Sequence, residues 1–191
     1  LLMCNNISDE AKKAFKSLKS GGVILYPTDT VWGLGCDATN CRAVDKLNEI
    51  KRRDSKKPML SLVEDIPMIK RHIENIPNNL DKIIRSLNEP TTILYKGSKN
   101  ICYKLISDDN FVGFRIVENE FCKLLLKLLS NPIVSTSANI HKEPFPKSFE
   151  EINEEILKQV DYVVNLPTEN WNNKPSSILK INNEGNLLKI R

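Results

Sequence analysis

The chain of 191 residues is long enough to bury a hydrophobic core within one domain. Hydrophobic residues make up 40% of it and charged residues 27%, which excludes a disordered chain and a membrane-embedded one. The net charge of +4 is too small to indicate a nucleic-acid partner by itself. No apolar run approaches the ~20 residues that span a bilayer, and the first residues do not resemble a secretory signal, so we expect a cytoplasmic protein without a membrane partner.

The first part of the chain predicts a helix, a strand, a loop and a second helix. Residues 8–20 have apolar side chains at helical spacing and end at two glycines. The apolar run 23–27 is typical of a strand covered on both faces. Two glycines and small polar residues favour a structured loop over 28–40, and 42–53 predicts a helix with one apolar side.

The rest of the chain alternates strands and helices. Strands are predicted at 59–64, 91–96, 111–117, 132–136 and 161–166, with a terminal hairpin over 176–191. Helices are predicted at 66–87, broken near Pro77, at 120–130, and after Ser148, which has capping-box spacing with Glu151. This alternation indicates a single α/β domain over 1–191, built on one sheet that the terminal hairpin makes mixed.

The cysteines show no pattern of a metal site or of a disulfide framework. Their number is odd, no CxxC pair occurs, and both histidines are distant in sequence. We therefore expect reduced, unpaired thiols that are buried or incidental. The residues concerned are Cys4, Cys36, Cys41, Cys102 and Cys122.

Polar side chains that could hold a ligand lie in or after three predicted strands. Ligands of α/β sheets usually bind at the carboxyl ends of strands, and hydroxyl, amide and guanidinium groups suit phosphate, ribose and carboxylate oxygens. Turn closure, helix capping and a buried ion pair are the alternative roles for these residues. Neither a P-loop nor a GxGxxG motif occurs, so a nucleotide site must be of another type. The candidates are Thr28, Asp29, Thr30, Arg115, Ser135, Thr136, Ser137 and Asn139.

A cluster of cations occupies the segment 50–58. The end of a helix explains about two of them through the helix dipole. The others would repel one another without an anion, and a phosphate chain or a nucleic-acid backbone is the natural candidate. The cluster contains Lys51, Arg52, Arg53, Lys56 and Lys57, with Asp54 as its one acid.

Four segments, taken in order, resemble the YrdC/YciO-like family of threonylcarbamoyl-AMP synthases: "GGVILYPTDTVWGLGCDATN", "AVDKLNEIKRRDSKKPMLSLVED", "PIVSTSANIHKEP" and "KPSSILKI". The family signature is a K-x-R pair, here Lys51 and Arg53, followed by S-x-N, here Ser137 and Asn139. The resemblance implies a YrdC-like twisted, mixed β-sheet flanked by helices, with a basic concave cleft.

The resemblance also implies an enzyme, a nucleotidyltransferase that forms threonylcarbamoyl-AMP and pyrophosphate from L-threonine, bicarbonate and ATP. Its product would serve the N6-threonylcarbamoyladenosine modification of tRNA, through downstream tRNA-modification proteins. Mg²⁺ would accompany the triphosphate, without side-chain metal ligands. Some relatives bind double-stranded RNA or tRNA.

Residue roles follow from the same resemblance. Lys51 and Arg53 would be the catalytic cations that act on the phosphates. The nucleotide would be held by Lys51, Arg53, Lys57, Ser137, Asn139 and Arg191. The threonine site would consist of Thr30, Arg115, Ser135 and Ser176, with Arg115 on the amino-acid carboxylate.

The sequence departs from the family pattern at four places. Leu62 stands where a histidine is common, and Lys57 replaces an asparagine. The segment 90–92 lacks the full P-G-P-x-T element, and no proline-glycine follows Arg191. These departures fit a YciO-like branch, so the alternative is a protein that binds double-stranded RNA or tRNA with little or no synthase activity. An ATP-binding hydrolase of unrelated chemistry is a third interpretation.

Overall fold

The computed structural model describes residues 2–54, 59–167, 175–182 and 184–190, with the backbone alone for 2–6. Within these ranges the strands form one nine-stranded sheet in the order β7-β1-β2-β6-β3-β5-β4-β8-β9. The elements in chain order are α1 (Leu2–Lys19), β1 (Ile24–Pro27), β2 (Trp32–Gly35), α2 (Cys41–Ile50), β3 (Leu60–Val63), α3 (Ile66–His72), α4 (Leu80–Arg85), β4 (Thr91–Lys96), β5 (Phe111–Ile116), α5 (Glu120–Leu129), β6 (Ile133–Ser137), α6 (Glu154–Gln159), β7 (Tyr162–Val163), β8 (Ser177–Ile181) and β9 (Leu187–Lys189).

The sheet is mixed well beyond the terminal hairpin. Strands β1 and β2, β2 and β6, β6 and β3, β5 and β4, and β8 and β9 pair antiparallel, whereas β1 and β7, β3 and β5, and β4 and β8 pair parallel. The predicted α/β class with a mixed sheet is confirmed. The strand directions also place β5 opposite to β1 and β6. The three candidate strands therefore do not share one carboxyl edge. Arg115 lies within β5, as predicted.

Helices cover both faces of the sheet and enclose two hydrophobic clusters. One cluster contains apolar side chains of α1, α3, α4 and α5, including Ala11, Ala14 and Leu18 of the predicted inward face of α1. The other contains side chains of α2 and α6, such as Leu47 and Ile156. None of the helices in the described ranges is both long and apolar enough to cross a bilayer.

Strand β2 lies inside the segment that was predicted as a loop. The prediction is wrong over Trp32–Gly35 because glycine has a low strand propensity, and two glycines flank Leu34. At Gly35 an added Cβ would lie 2.7 Å from both the Val134 carbonyl oxygen and the ring of Tyr26. Glycine is thus required there so that β2 can approach β6 closely, which is a tertiary constraint that local propensity does not contain.

The helix predicted after Ser148 begins later than its capping-box spacing indicates. Only a short 3-10 turn covers Phe149–Glu151, and the Ser148 side chain makes no capping hydrogen bond. The Glu151 carboxylate instead accepts from the backbone N–H of Lys147 at 2.8 Å. Helix α6 starts after Asn153, whose side chain accepts from the N–H of Glu155. The predicted break near Pro77 is confirmed, since α3 and α4 are separate helices.

A disulfide joins Cys41, at the start of α2, to Cys102, with their Cα atoms 5.1 Å apart. The prediction of unpaired thiols is therefore wrong for this pair, which lies 61 residues apart in sequence and shows no motif spacing. The backbone N–H of Cys102 donates to the Ala38 carbonyl at 2.9 Å, and this contact brings the two segments together. Cys36 and Cys122 are free and buried, as expected.

The disulfide should stabilise the oxidised protein. We expect the double substitution Cys41→Ser and Cys102→Ser to lower the free energy of unfolding by about 2 to 4 kcal/mol, because the bond closes a long loop in the unfolded chain. Urea unfolding with and without a thiol reductant measures this difference. The reductant should destabilise the wild type to the level of the double variant and leave the variant unchanged. A wild type that does not respond to reductant would contradict the prediction.

Candidate functional site

A cleft with a volume of about 660 Å³ crosses one face of six neighbouring strands, from β2 through β6, β3, β5 and β4 to β8. Residues from distant parts of the sequence line it, because the sheet order brings β6 between β2 and β3. Most of the predicted site residues meet here. Those that line the cleft are Thr28, Thr30, Arg53, Arg115, Ser135, Thr136, Ser137, Asn139 and Ser176.

The cleft combines an apolar surface with a few charged side chains. Its apolar part includes Met59, Leu60 and Phe111. Among the described lining residues, the charged side chains are those of Arg53, Arg115 and Glu143. Guanidinium groups suit an anionic ligand, and the apolar surface suits the flat rings or carbon skeleton of an organic one.

The loop after β1 is closed by Thr28. The Thr28 hydroxyl donates to the Val31 carbonyl oxygen at 2.8 Å and accepts from the backbone N–H of Thr30 at 3.1 Å. This is the turn-closing role that the sequence left as an alternative, and it is observed for Thr28. The Thr30 hydroxyl lies 3.0 Å from that of Thr28 and faces the cleft lining. The loop backbone is therefore fixed on both sides of Asp29.

Arg115 has both a buried partner and a place in the cleft. Its side chain is only 3% exposed, and its Nη1 donates to Asp29 Oδ1 at 2.6 Å. Its Nε is buried and has no hydrogen-bond partner in the described part of the chain. A buried guanidinium with an unused N–H favours a ligand that can accept from it. Sequence reasoning named Asp29 as a loop residue but did not identify it as the partner of Arg115.

Lys51 hydrogen-bonds the backbone of the S-x-N loop, residues 137–139. Its side chain is 2% exposed, and its Nζ donates to the carbonyl oxygens of Ser137 at 2.5 Å and Asn139 at 2.7 Å. The Lys51 carbonyl also accepts from the backbone N–H of His141. Lys51 is not among the cleft's described lining residues, whereas Arg53, two positions on, is.

The S-x-N loop is also organised by its own side chains. The Ser137 hydroxyl donates to Asn139 Oδ1 at 2.5 Å. The Asn139 amide donates to the carbonyl oxygens of Glu143 at 2.6 Å and Ile140 at 3.0 Å. Asn139 thereby holds the turn 139–143 against the cleft, where Glu143 and Phe145 also contribute lining that the sequence did not predict.

The two cations of the K-x-R pair are electrostatically coupled. Burial, together with the smaller effect of the nearby charge of Arg53, lowers the pKa of Lys51 to about 7. Burial also lowers the pKa of Arg53. An anion bound beside Arg53 would offset both effects and favour the charged form of Lys51. Binding of an anionic ligand should therefore raise the pKa of Lys51.

A buried hydroxyl pair closes the other end of the cleft. Thr92 of β4 and Ser176 lie with their oxygens 2.9 Å apart, and both line the cleft. Thr92 was not predicted as a site residue, although a polar side chain in an otherwise apolar strand was a usable signal. Leu62, where the family commonly has a histidine, pairs with Arg115 across β3 and β5 and is fully buried. A leucine offers no hydrogen bond at this position beside Arg115.

The other three members of the cation cluster do not line the cleft or lie outside the described residues. Arg52 is 64% exposed, forms an ion pair with Glu155 at 2.6 Å and is not among the described cleft lining. Lys56 and Lys57 lie outside the described residues, as does Arg191. The predicted roles of Lys57 and Arg191 at the nucleotide therefore stay predictions.

Comparison with known sequences gives consistent matches over most of the chain. Residues 16–191 match the family model for Sua5, YciO and YrdC proteins, described as telomere recombination. A putative threonylcarbamoyl-AMP synthase of Methanocaldococcus jannaschii is 33% identical over 96% of this chain and 87% of its own length. A threonylcarbamoyl-AMP synthase of Pseudoalteromonas translucida is 30% identical over 86% of this chain and 89% of its own.

Solved structures with the same fold include two from this group. P. abyssi Sua5, complexed with L-threonine, superposes with a TM-score of 0.82 at 22% identity, covering 90% of this chain and 50% of that one. E. coli YciO superposes with a TM-score of 0.81 at 22% identity, covering 96% of this chain and 89% of that one. The chain thus spans about half of the Sua5 chain and most of the YciO chain. At this identity the likeness shows a shared fold.

Proposed function

Because the chain belongs to the Sua5/YciO/YrdC family, we propose that it is a threonylcarbamoyl-AMP synthase acting on L-threonine, bicarbonate and ATP. The observation that carries the proposal is the convergence, in one cleft, of Arg53, Arg115 and the S-x-N loop from three separate parts of the chain. A single domain over 1–191 would suffice for this site, and the chemistry would be that of a nucleotidyltransferase.

The threonine end of the cleft would lie around Arg115. A guanidinium suits a carboxylate because its parallel N–H groups match the two oxygens. The Nε of Arg115 is buried without a partner in the described chain, and a bound carboxylate would satisfy it. The hydroxyls of Thr30, Ser135 and Ser176 line the same cleft and would hydrogen-bond the threonine amine or hydroxyl.

The nucleotide end would lie around Arg53 and the S-x-N loop. Arg53 would neutralise the phosphates, while Ser137 and Asn139 would contact the adenylate. Lys51 supports this end from behind, since its ammonium nitrogen binds the carbonyls of Ser137 and Asn139. Lys57 and Arg191 are proposed as further nucleotide contacts on the basis of the family pattern.

The reaction has two steps that positioning can assist. The threonine nitrogen first forms a bond to the carbon of bicarbonate, and water leaves to give a carbamate. A carbamate oxygen then forms a bond to the α-phosphorus of ATP, while the bond from that phosphorus to pyrophosphate breaks. Negative charge grows on the phosphate oxygens in the second step, where fixed cations lower the barrier.

Mg²⁺ would arrive on the triphosphate rather than occupy a dedicated protein site. The described residues contain no group of three or more histidine, cysteine or acidic side chains suited to hold a metal. Magnesium in nucleotide enzymes is commonly held by phosphates plus one or two carboxylates. Glu143, the acid among the described lining residues, would supply one such carboxylate, which departs from the expectation of no side-chain metal ligand. Bound Mg²⁺ would offset charge on the phosphates.

The product would be consumed in the modification of tRNA, which makes tRNA and downstream modification proteins the proposed partners. A threonylcarbamoyl adenylate is a reactive mixed anhydride, so a second reaction must transfer its acyl group promptly. The cytoplasm, where tRNA is modified, is the proposed location.

Pyrophosphate release tests the proposal directly. Purified protein with ATP and Mg²⁺ should release pyrophosphate only when both L-threonine and bicarbonate are present, and mass spectrometry should identify threonylcarbamoyl-AMP. Omission of either co-substrate, or chelation of Mg²⁺, serves as the control. No release under any of these conditions, combined with salt-sensitive binding of tRNA or duplex RNA, would overturn the proposal in favour of an RNA-binding protein.

Asn139→Ala should lower the rate of pyrophosphate release by about a hundredfold, because the turn 139–143 loses both hydrogen bonds from the amide. The matched control is Arg52→Ala, which removes a cation outside the described cleft lining and should leave the rate within about twofold, as for an exposed ion pair. Equal losses in the two variants, measured at saturating ATP, would contradict the assignment of Asn139 to the nucleotide.

A further inference from the structure

Asp29 touches the proposed substrate arginine from outside the cleft. It is not among the cleft's described lining residues, yet its carboxylate lies 2.6 Å from Nη1 of Arg115. We propose that Asp29 is a positioning residue that fixes the direction of the Arg115 guanidinium and thereby sets selectivity for a substrate carboxylate. This inference rests on the proposed function and extends it to a residue with no assigned role.

The geometry decides which N–H groups of Arg115 remain for a ligand. A guanidinium binds a carboxylate through two N–H groups on one edge. Asp29 occupies Nη1, so the edge formed by Nε and Nη2 is left. Nε is buried and has no partner within the described chain, which is the expected state of a donor reserved for a ligand.

The position of Asp29 is itself fixed by the turn around it. Thr28 accepts from the N–H of Thr30 and donates to the carbonyl of Val31, so both neighbours of Asp29 are held. Within the described ranges, Asp29 is the acid at ion-pair distance from Arg115.

The surroundings of Asp29 strengthen the pair. Asp29 is 17% exposed and lines a second cavity of about 340 Å³, whose lining is mostly apolar but also includes Glu89 and Glu118. Apolar surroundings lower the local dielectric constant, which strengthens a charge-assisted hydrogen bond and raises the cost of leaving the arginine unpaired. Before substrate binds, Asp29 therefore compensates the charge of Arg115 and holds it in one orientation.

Asp29→Asn isolates this effect, because asparagine has nearly the same shape and keeps one acceptor oxygen but loses the charge. Isothermal titration calorimetry should show an affinity for L-threonine at least about tenfold weaker, with ATP affinity within about twofold. The preference for L-threonine over its methyl ester, which lacks the anionic carboxylate, should fall by a similar factor. If Asp29 had only a structural role, Asp29→Asn would weaken the binding of L-threonine and of its methyl ester alike. The ratio of the two affinities would then stay unchanged.

Two further variants complete the experiment. Asp45→Asn removes the partner of another ion pair, with Lys104, outside the described cleft lining, and should keep both affinity and ratio. Asp29→Glu keeps the charge on a longer side chain and should show a ratio between those of the wild type and Asp29→Asn. If Asp29→Asn does not fold, the ratio in Asp29→Glu decides, and a value equal to wild type overturns the inference.

The outcomes separate the inference from the proposed function. An unchanged ester ratio in Asp29→Asn, in a protein whose wild type makes threonylcarbamoyl-AMP, overturns the positioning role alone. A wild type that neither binds L-threonine nor releases pyrophosphate overturns both. A lowered ratio with near-normal ATP affinity supports both.

Discussion

Replacing Arg115 by alanine is expected to lower threonine-dependent pyrophosphate release by about a thousandfold, since the two charge-assisted hydrogen bonds that we propose to the substrate carboxylate would be lost. ATP affinity should stay within about threefold, because Lys51 and the loop's own side chains hold the S-x-N loop. Arg115→Lys should recover little of the rate, since an ammonium cannot present two parallel N–H groups. Steady-state kinetics with each substrate varied in turn measures these effects.

The same substitution should also destabilise the fold. Arg115→Ala leaves the Asp29 carboxylate, 17% exposed, without its cation, which should cost about 3 kcal/mol in the free energy of unfolding. The double variant Arg115→Ala with Asp29→Ala should regain most of that stability, because no unpaired charge remains, but none of the activity. Urea unfolding and the kinetic assay together separate the two roles of Arg115. Activity that returns with stability in the double variant would show that Arg115 acts only through the fold.

Sequence periodicity predicted those parts of the fold that depend on local burial. The inward face of α1 and the strands of the sheet were readable because apolar side chains recur at the period of each element. Strand β2 was missed because its glycines serve a close approach to β6, which is a contact between residues about a hundred positions apart. The disulfide between Cys41 and Cys102 was missed for the same reason, since pairing depends on tertiary distance rather than on spacing.

The sequence predicted which residues belong to the candidate site, but not which of them contact one another. The family resemblance assigned Arg53 and Asn139 to the nucleotide and Arg115 to threonine, and the fold places all three in one cleft. The sequence could not indicate that Lys51 turns away from the described lining of that cleft, because adjacent residues at a helix end point in different directions. Nor could it indicate that Asp29 pairs with Arg115, 86 residues away. Two buried charges that are distant in sequence become partners only because the order of strands in the sheet brings them together.

Lys51 should make the stability of the protein depend on pH. Burial lowers its pKa to about 7 from the ordinary 10.5, so between these values the unfolded chain holds a proton that the folded protein has released. The free energy of unfolding of the wild type should therefore rise as the pH increases from about 7 to 10.5. Below about pH 7 Lys51 is protonated in both the folded and the unfolded state, and this stabilising contribution is absent. Lys51→Met keeps an apolar stem of similar length and should lack the slope. Urea unfolding at a series of pH values measures it.

The variants at Lys51 also test its support of the S-x-N loop. Lys51→Ala should lower the free energy of unfolding at pH 8 by about 3 kcal/mol, because the carbonyls of Ser137 and Asn139 lose their donor and a cavity remains. Lys51→Met should lose less, since its side chain fills the space. Lys158→Met, at an exposed helical ion pair, is the matched control and should keep both the stability and the pH slope of the wild type. A slope that persists in Lys51→Met would assign the pH dependence to another group, and the burial of Lys51 would then not be its source.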